Sequence, residues 1–147
     1  MRISVRESHL PGVFGSIKAG LAAMGISAAE MEYGRDRSVE SLEATDGARV
    51  SLANDDAIKA YTDKCRELGI SVSALLLHNN FGSDDIESEL DWVISCVRAA
   101  GKLGVKAVRI DAIMSTEADW PLDRRTQHFA DCMGRVLEAT ADLDVEM

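Results

Sequence analysis

Hydrophobic and polar positions along this chain switch repeatedly between a period of two and a period near 3.6. Ile3 and Val5 alternate with Ser4 and Arg6, which predicts a first strand over Arg2–Arg6. After Pro11-Gly12 the period lengthens, and Phe14, Ile17, Leu21 and Met24 form one stripe of a helix running from about Val13 to Met24. A second strand spans roughly Ser27 to Tyr33. A second helix, capped by Asn54 or Asp55, presents Ile58, Tyr61, Cys65 and Leu68. The third strand, Ser71 to Leu77, runs into His78-Asn79-Asn80. Ser83 is the expected cap of the next helix, with Asp84, Asp85 and Glu87 in its first turn and Ile86, Leu90, Val93, Val97 and Ala100 as its stripe. A fourth strand covers Val105 to Ala112. The last helix starts near Pro121 and buries Leu122, Phe129, Met133, Val136 and Leu137. Leu143-Asp144-Val145-Glu146 then opens a fifth strand.

Three of the helical runs end in glycine and pass directly into an apolar strand, at Met24-Gly25-Ile26, Leu68-Gly69-Ile70 and Leu103-Gly104-Val105. Glycine just past a helix takes the left-handed cap conformation that other residues resist. Strand, helix and strand in repetition read as right-handed βαβ units on a parallel sheet. Four and a half such units make about half of a (β/α)8 barrel, which typically needs roughly 250 residues. The expected fold class is therefore α/β, with parallel (β/α) units forming half of a barrel in one domain over 1–147. The polar stretch from Gly34 to Asn54, holding Arg35, Arg37, Glu40, Glu43 and Asp46, fits no period. It is either a functional lid or a short element that the pattern does not place.

Composition narrows the partners. Basic residues number 16 and acidic ones 25, for a net charge of −9, whereas a binder of nucleic-acid backbone shows a concentrated basic face. No run is long enough to cross a membrane, and Met1-Arg2-Ile3-Ser4-Val5-Arg6 lacks the apolar core of a signal peptide, so a cytoplasmic location is expected. Cys65, Cys96 and Cys132 are odd in number, far apart and without a CxxC, and read as small helix-face hydrophobes.

Barrel chemistry gathers at the carboxyl ends of the strands, where the βα loops open. Those ends are polar here: Arg6, Glu7, Ser8 and His9; Glu30, Glu32 and Tyr33; His78 and Asn79; Arg109 and Asp111. Parity places Arg109 and Asp111 on the inward face of their strand with Val105 and Ala107. They form either a plain ion pair or a pair able to hold a polyhydroxylated ligand. Glu30 and Glu32 share a face with Ala28 and could bind hydroxyls, act as acid–base groups or balance an arginine. His78 ends an apolar strand at the mouth, where ligand, proton shuttle and simple hydrogen-bonded imidazole all remain open. No Gly-rich phosphate loop, nucleophile elbow or HExxH pattern is present.

The phrases ALLLHNNF (Ala74–Phe81), ELDWVISCVRAAGKLGVKAVRIDA (Glu89–Ala112) and ADLDVEM (Ala141–Met147) resemble the sugar phosphate isomerase/epimerase family. This is the xylose isomerase-like TIM-barrel group, which also includes endonuclease IV-like proteins, and the resemblance runs over its N-terminal half. It implies an isomerase or epimerase moving a proton or hydride between adjacent carbons of a sugar-like substrate. It also implies a divalent metal (Mn, Mg or Co) held by Glu, Asp, His and Glu from later strands that this chain does not contain. The residues that the resemblance assigns to the substrate side are Glu7, Glu32, His78, Asn79, Arg109 and Asp111, with no metal ligand among them. In the endonuclease-like branch a histidine after the third strand binds metal. His78 matches that place, but Asn79-Asn80 depart from the pattern, and the charge disfavours a DNA-repair role. The expectation is a barrel half that is inactive by itself. The alternative is a non-catalytic half-barrel that binds ligand or self-assembles through exposed strand edges.

Overall fold

The computed structural model describes residues 3–113 and 120–147. Strands β1 (Val5–Arg6), β2 (Ala28–Glu32), β5 (Ser71–Leu76) and β6 (Val108–Arg109) form one parallel sheet in the order β1-β2-β5-β6. Helices α2 (Ile17–Met24), α3 (Asp55–Leu68), α4 (Ile86–Leu103) and α5 (Leu122–Ala139) follow successive strands of it. Glu146 adds the start of a fifth parallel strand. It bridges Ala107, its N–H bonding Lys106 O at 2.7 Å and its carbonyl accepting from Val108 N at 2.8 Å. Gly25, Gly69 and Gly104 all cap their helices in the left-handed region, at φ 68, 66 and 73°, as the repeated glycine phrase predicts.

One face of the sheet packs on the helices. Ala29, Met31, Leu75, Leu77 and Val108 from the strands meet Ile17, Leu21, Ile58, Leu90, Val93, Val97 and Val136 in a single core. The other face alternates with it and carries Arg6, Glu30, Glu32, Ala74, Leu76 and Arg109. These residues align in register through Arg6↔Glu30, Glu30↔Ala74, Glu32↔Leu76 and Leu76↔Arg109. The register slips once, because Ala29 pairs with Val72 and Glu30 with Ala74, leaving Ser73 as an extra residue whose hydroxyl donates to Ala29 O at 3.1 Å. The bulge brings Ala74 and Leu76 onto the same face as the two glutamates.

Several boundaries differ from the sequence reading. The first predicted helix is two: α1 (Pro11–Phe14) ends at Gly15, with φ 84°, and Ser16 restarts the chain as α2, its hydroxyl accepting from Ala19 N at 3.1 Å. A left-handed glycine followed by a serine cap outweighs an unbroken apolar stripe, and Phe14 and Met24 are left largely exposed. Helix α4 is capped by Asp85, not Ser83, although the Ser83 hydroxyl accepts from Asp85 N just upstream. In α5, Leu122 and Leu137 are 79 % and 54 % exposed, and the buried positions are Cys132 and Val136. Strand β6 is shorter than Val105–Ala112, and Arg2 of the predicted first strand lies outside the described residues.

The unplaced polar stretch is a packed antiparallel hairpin. Strands β3 (Ser38–Glu40) and β4 (Arg49–Ser51) pair through Ser38↔Ser51, Val39↔Val50 and Glu40↔Arg49. Val39, Leu42 and Leu52 carry it into the core. Its neck is tied to α4. Arg35 pairs with Glu89 at 2.6 Å and lies over the Trp92 ring at 3.8 Å, while the Trp92 indole donates to Gly34 O at 2.9 Å.

Candidate functional site

Four strand ends deliver charge to one point. Arg6 leaves β1 on the inner face, and its guanidinium meets Glu32 Oε2 at 3.1 Å and His78 Nε2 at 2.7 Å. Arg109 from β6 reaches His78 Nδ1 at 3.3 Å, Asp111 Oδ1 at 3.3 Å and Leu77 O at 3.1 Å. His78 thus sits between two arginines, with Glu32 and Asp111 each 3.5 Å from one ring nitrogen. Each ring nitrogen has a guanidinium on one side and a carboxylate on the other, and which nitrogen accepts from its arginine depends on the tautomer.

Two of the residues picked out by sequence stand behind this cluster. The Asn79 side chain is fully buried. Its Nδ2 donates to Asp111 O and its Oδ1 accepts from Asp111 N, both at 2.8 Å, so it splices the end of β5 to the end of β6. Glu7 lies in a single 3-10 turn (Glu7–His9) after β1, with only 3 % of its surface exposed. Its Oε1 accepts from Glu32 N at 2.8 Å, and its Oε2 is buried with no hydrogen-bond partner among the described residues. Burial pushes the Glu7 carboxyl above the ordinary glutamate value, the Glu32 N–H pulls it back in part, and the Glu32 carboxylate adds to the rise.

The structure therefore brings Glu32, His78, Arg109 and Asp111 together at one surface, with Glu7 and Asn79 beneath them. Arg6 was missing from the substrate-side set, yet it makes the shortest contact in the cluster. The signal was present, because Arg6 lies on the polar face of the first strand, opposite Val5. Glu30 stands one step lower and accepts from the Ser4 hydroxyl at 3.3 Å. The three thiols are free and buried, and burial pushes that of Cys65 up to about 11. His128 contacts Phe81 O at 2.8 Å.

The arrangement does not fit a divalent metal. No three His, Cys, Asp or Glu side chains among the described residues are grouped to hold one. Arg6 and Arg109 already occupy the ring nitrogens and carboxylate oxygens that a cation would need. No helix among those residues is long and apolar enough to cross a membrane.

Solved structures with a similar fold include a xylose isomerase domain protein and two sugar epimerases. A xylose isomerase domain protein from Planctomyces limnophilus superposes with TM-score 0.61 at 12 % identity, over 97 % of this chain and 51 % of its own. A D-psicose 3-epimerase solved in the presence of D-fructose gives 0.65 at 11 % identity, over 99 % and 50 %. An L-ribulose 3-epimerase gives 0.61 at 16 % identity, over 98 % and 47 %. The chain has the fold of the N-terminal half of a xylose isomerase-like TIM barrel. It spans about half the length of these solved structures. No protein-family model and no curated protein matches the sequence. At these identities the likeness concerns architecture, so the roles of side chains rest on the geometry above.

Proposed function

We propose that this chain supplies one wall of the substrate pocket of a sugar isomerase or epimerase. The observation that carries this reading is the convergence of Arg6, Glu32, His78, Arg109 and Asp111 at the carboxyl ends of four parallel strands, where barrel enzymes bind substrate. A sugar offers hydroxyls that both donate and accept. Glu32 and Asp111 accept from them, and Arg6 and Arg109 donate to them. His78 presents a nitrogen able to exchange partners between an arginine and a hydroxyl. Asn79 fixes the backbone of Asp111, and Glu7 fixes that of Glu32.

A divalent metal, if the complete enzyme uses one, belongs to strands beyond this half, where it would polarise the substrate carbonyl. The residues of this chain then orient the sugar and exclude water, and the chain alone is inactive. Backbone amide shifts of residues 77–80 and 109–111, followed on titration with D-fructose or L-ribulose, test the pocket. Saturable shifts that disappear in Arg109→Ala, with its circular dichroism unchanged, support the reading. Absence of shifts with any ketose, or equal shifts in the variant, contradicts it.

A second reading, a half-barrel that self-assembles, is favoured by one observation. Ile3, Val13 and Phe14, which flank the edge strand β1 along the chain, are exposed apolar side chains. Mass by light scattering separates the readings, since a monomer at high concentration removes self-assembly.

A further inference from the structure

Strand β1 is only two residues long, lies at the edge of the sheet and pairs solely with β2 among the described residues. What holds the segment after it is Glu7. Its Oε1 takes the Glu32 N–H, while Oε2 is shut away from water with no partner among those residues. An ionised carboxylate with one buried, unpaired oxygen is costly; a protonated one is tolerated.

Every charged or titratable group facing it points the same way or offers little relief. The Glu32 carboxylate on β2 opposes ionisation. Tyr61 on α3 feels the Glu7 charge and is itself pushed upward by burial and by that charge, so it stays neutral while the carboxyl titrates and neither opposes nor pairs with it among the described residues. From its own segment, Arg6 favours ionisation least of the influences on Glu7, because that guanidinium is directed at Glu32 and His78, and His9 is exposed.

We propose that Glu7 is a proton-held latch on the N-terminal edge of the sheet. With a proton on Oε2 the carboxyl grips the Glu32 backbone and keeps residues 3–9 docked. Losing that proton lets them lift away, taking Arg6 out of the ionic cluster and leaving Glu32 and His78 without it. Leu10, deep in the core, is the hinge-side anchor that stays in place. The group's folded value lies above 4.5, the ordinary glutamate value. The latch is therefore fully closed below that pH and opens as pH rises through the folded value.

Amide hydrogen exchange at Glu32, corrected for intrinsic rate and followed from pH 5 to 8.5, reads the latch directly. Protection in the wild-type chain should fall with pH, by at most about tenfold per unit for a single proton. Glu7→Gln, whose amide reproduces the protonated carboxyl, should give a flat profile, and Leu75 in the sheet centre should stay flat in both proteins. Carbon-13 titration of the Glu7 carboxyl in the wild type gives an independent reading should the variant fold poorly. A midpoint at or below 4.5, a flat wild-type profile, or the same decline in Glu7→Gln would each overturn the proposal.

Discussion

Replacing Asn79 should be among the most damaging single changes at the strand ends, although the residue carries no charge. Its amide is fully buried and makes two 2.8 Å bonds to the backbone of Asp111. Asn79→Ala leaves one N–H and one C=O without partners. Each stranded buried group costs about 1–3 kcal/mol, partly relieved if the loop relaxes, so the expected loss is about 3 kcal/mol. With a urea slope of roughly 2 kcal/mol per molar, the unfolding midpoint should drop by about 1.5 M. Asn79→Asp sharpens the test. The introduced carboxylate still accepts from Asp111 N but faces Asp111 O with a second acceptor, so its folded pKa must rise. The variant should be destabilised at pH 7 and recover as pH falls toward the unfolded aspartate value near 3.9, where a protonated oxygen can donate again. A midpoint loss under about 0.5 M for Asn79→Ala, or a pH-independent deficit for Asn79→Asp, would refute the claim that this side chain splices the two strands.

Gly20→Ala should destabilise despite alanine's better helix propensity. A methyl there would lie 2.8 Å from the buried Leu10 Cβ, so overpacking of about 1–3 kcal/mol exceeds the propensity gain of about 1, and the melting temperature should fall. Leu122→Gln and Leu137→Gln in α5 should each change stability by no more than about 0.5 kcal/mol in urea unfolding, because both side chains are mostly in water. All three thiols should resist Ellman's reagent in the folded chain and react together once it is unfolded, since burial raises each of them.

Long periodic segments were legible in the sequence because their physics is local. The Ile58, Tyr61 and Cys65 stripe, the Leu90, Val93 and Val97 stripe and the three glycine caps all stand where the pattern puts them. The hairpin at Ser38–Ser51 was not legible, since three-residue strands offer too little alternation and depend on Val39 and Leu52 reaching a core built by distant segments. The split between α1 and α2 was hidden by an apolar stripe that continued across Gly15. At the site, parity alone placed Arg109 and Asp111 on one face. It could not show that Asn79 turns inward to the Asp111 backbone, or that Arg6 spans two strands to reach His78. Those facts depend on which strands become neighbours, and the Ser73 bulge adjusts that pairing in a way no uniform alternation foretells.

The neighbour order of the sheet bears on how the chain assembles. Within the four-stranded sheet each strand docks beside the strand of that sheet made before it, the β3–β4 hairpin standing apart, and Glu146 continues the series beside β6. Assembly of these strands can therefore keep pace with synthesis, each unit needing only the unit already finished. Damage is correspondingly directional. A lesion in β2 denies a template to every strand that follows, whereas one near Glu146 spares all that came earlier.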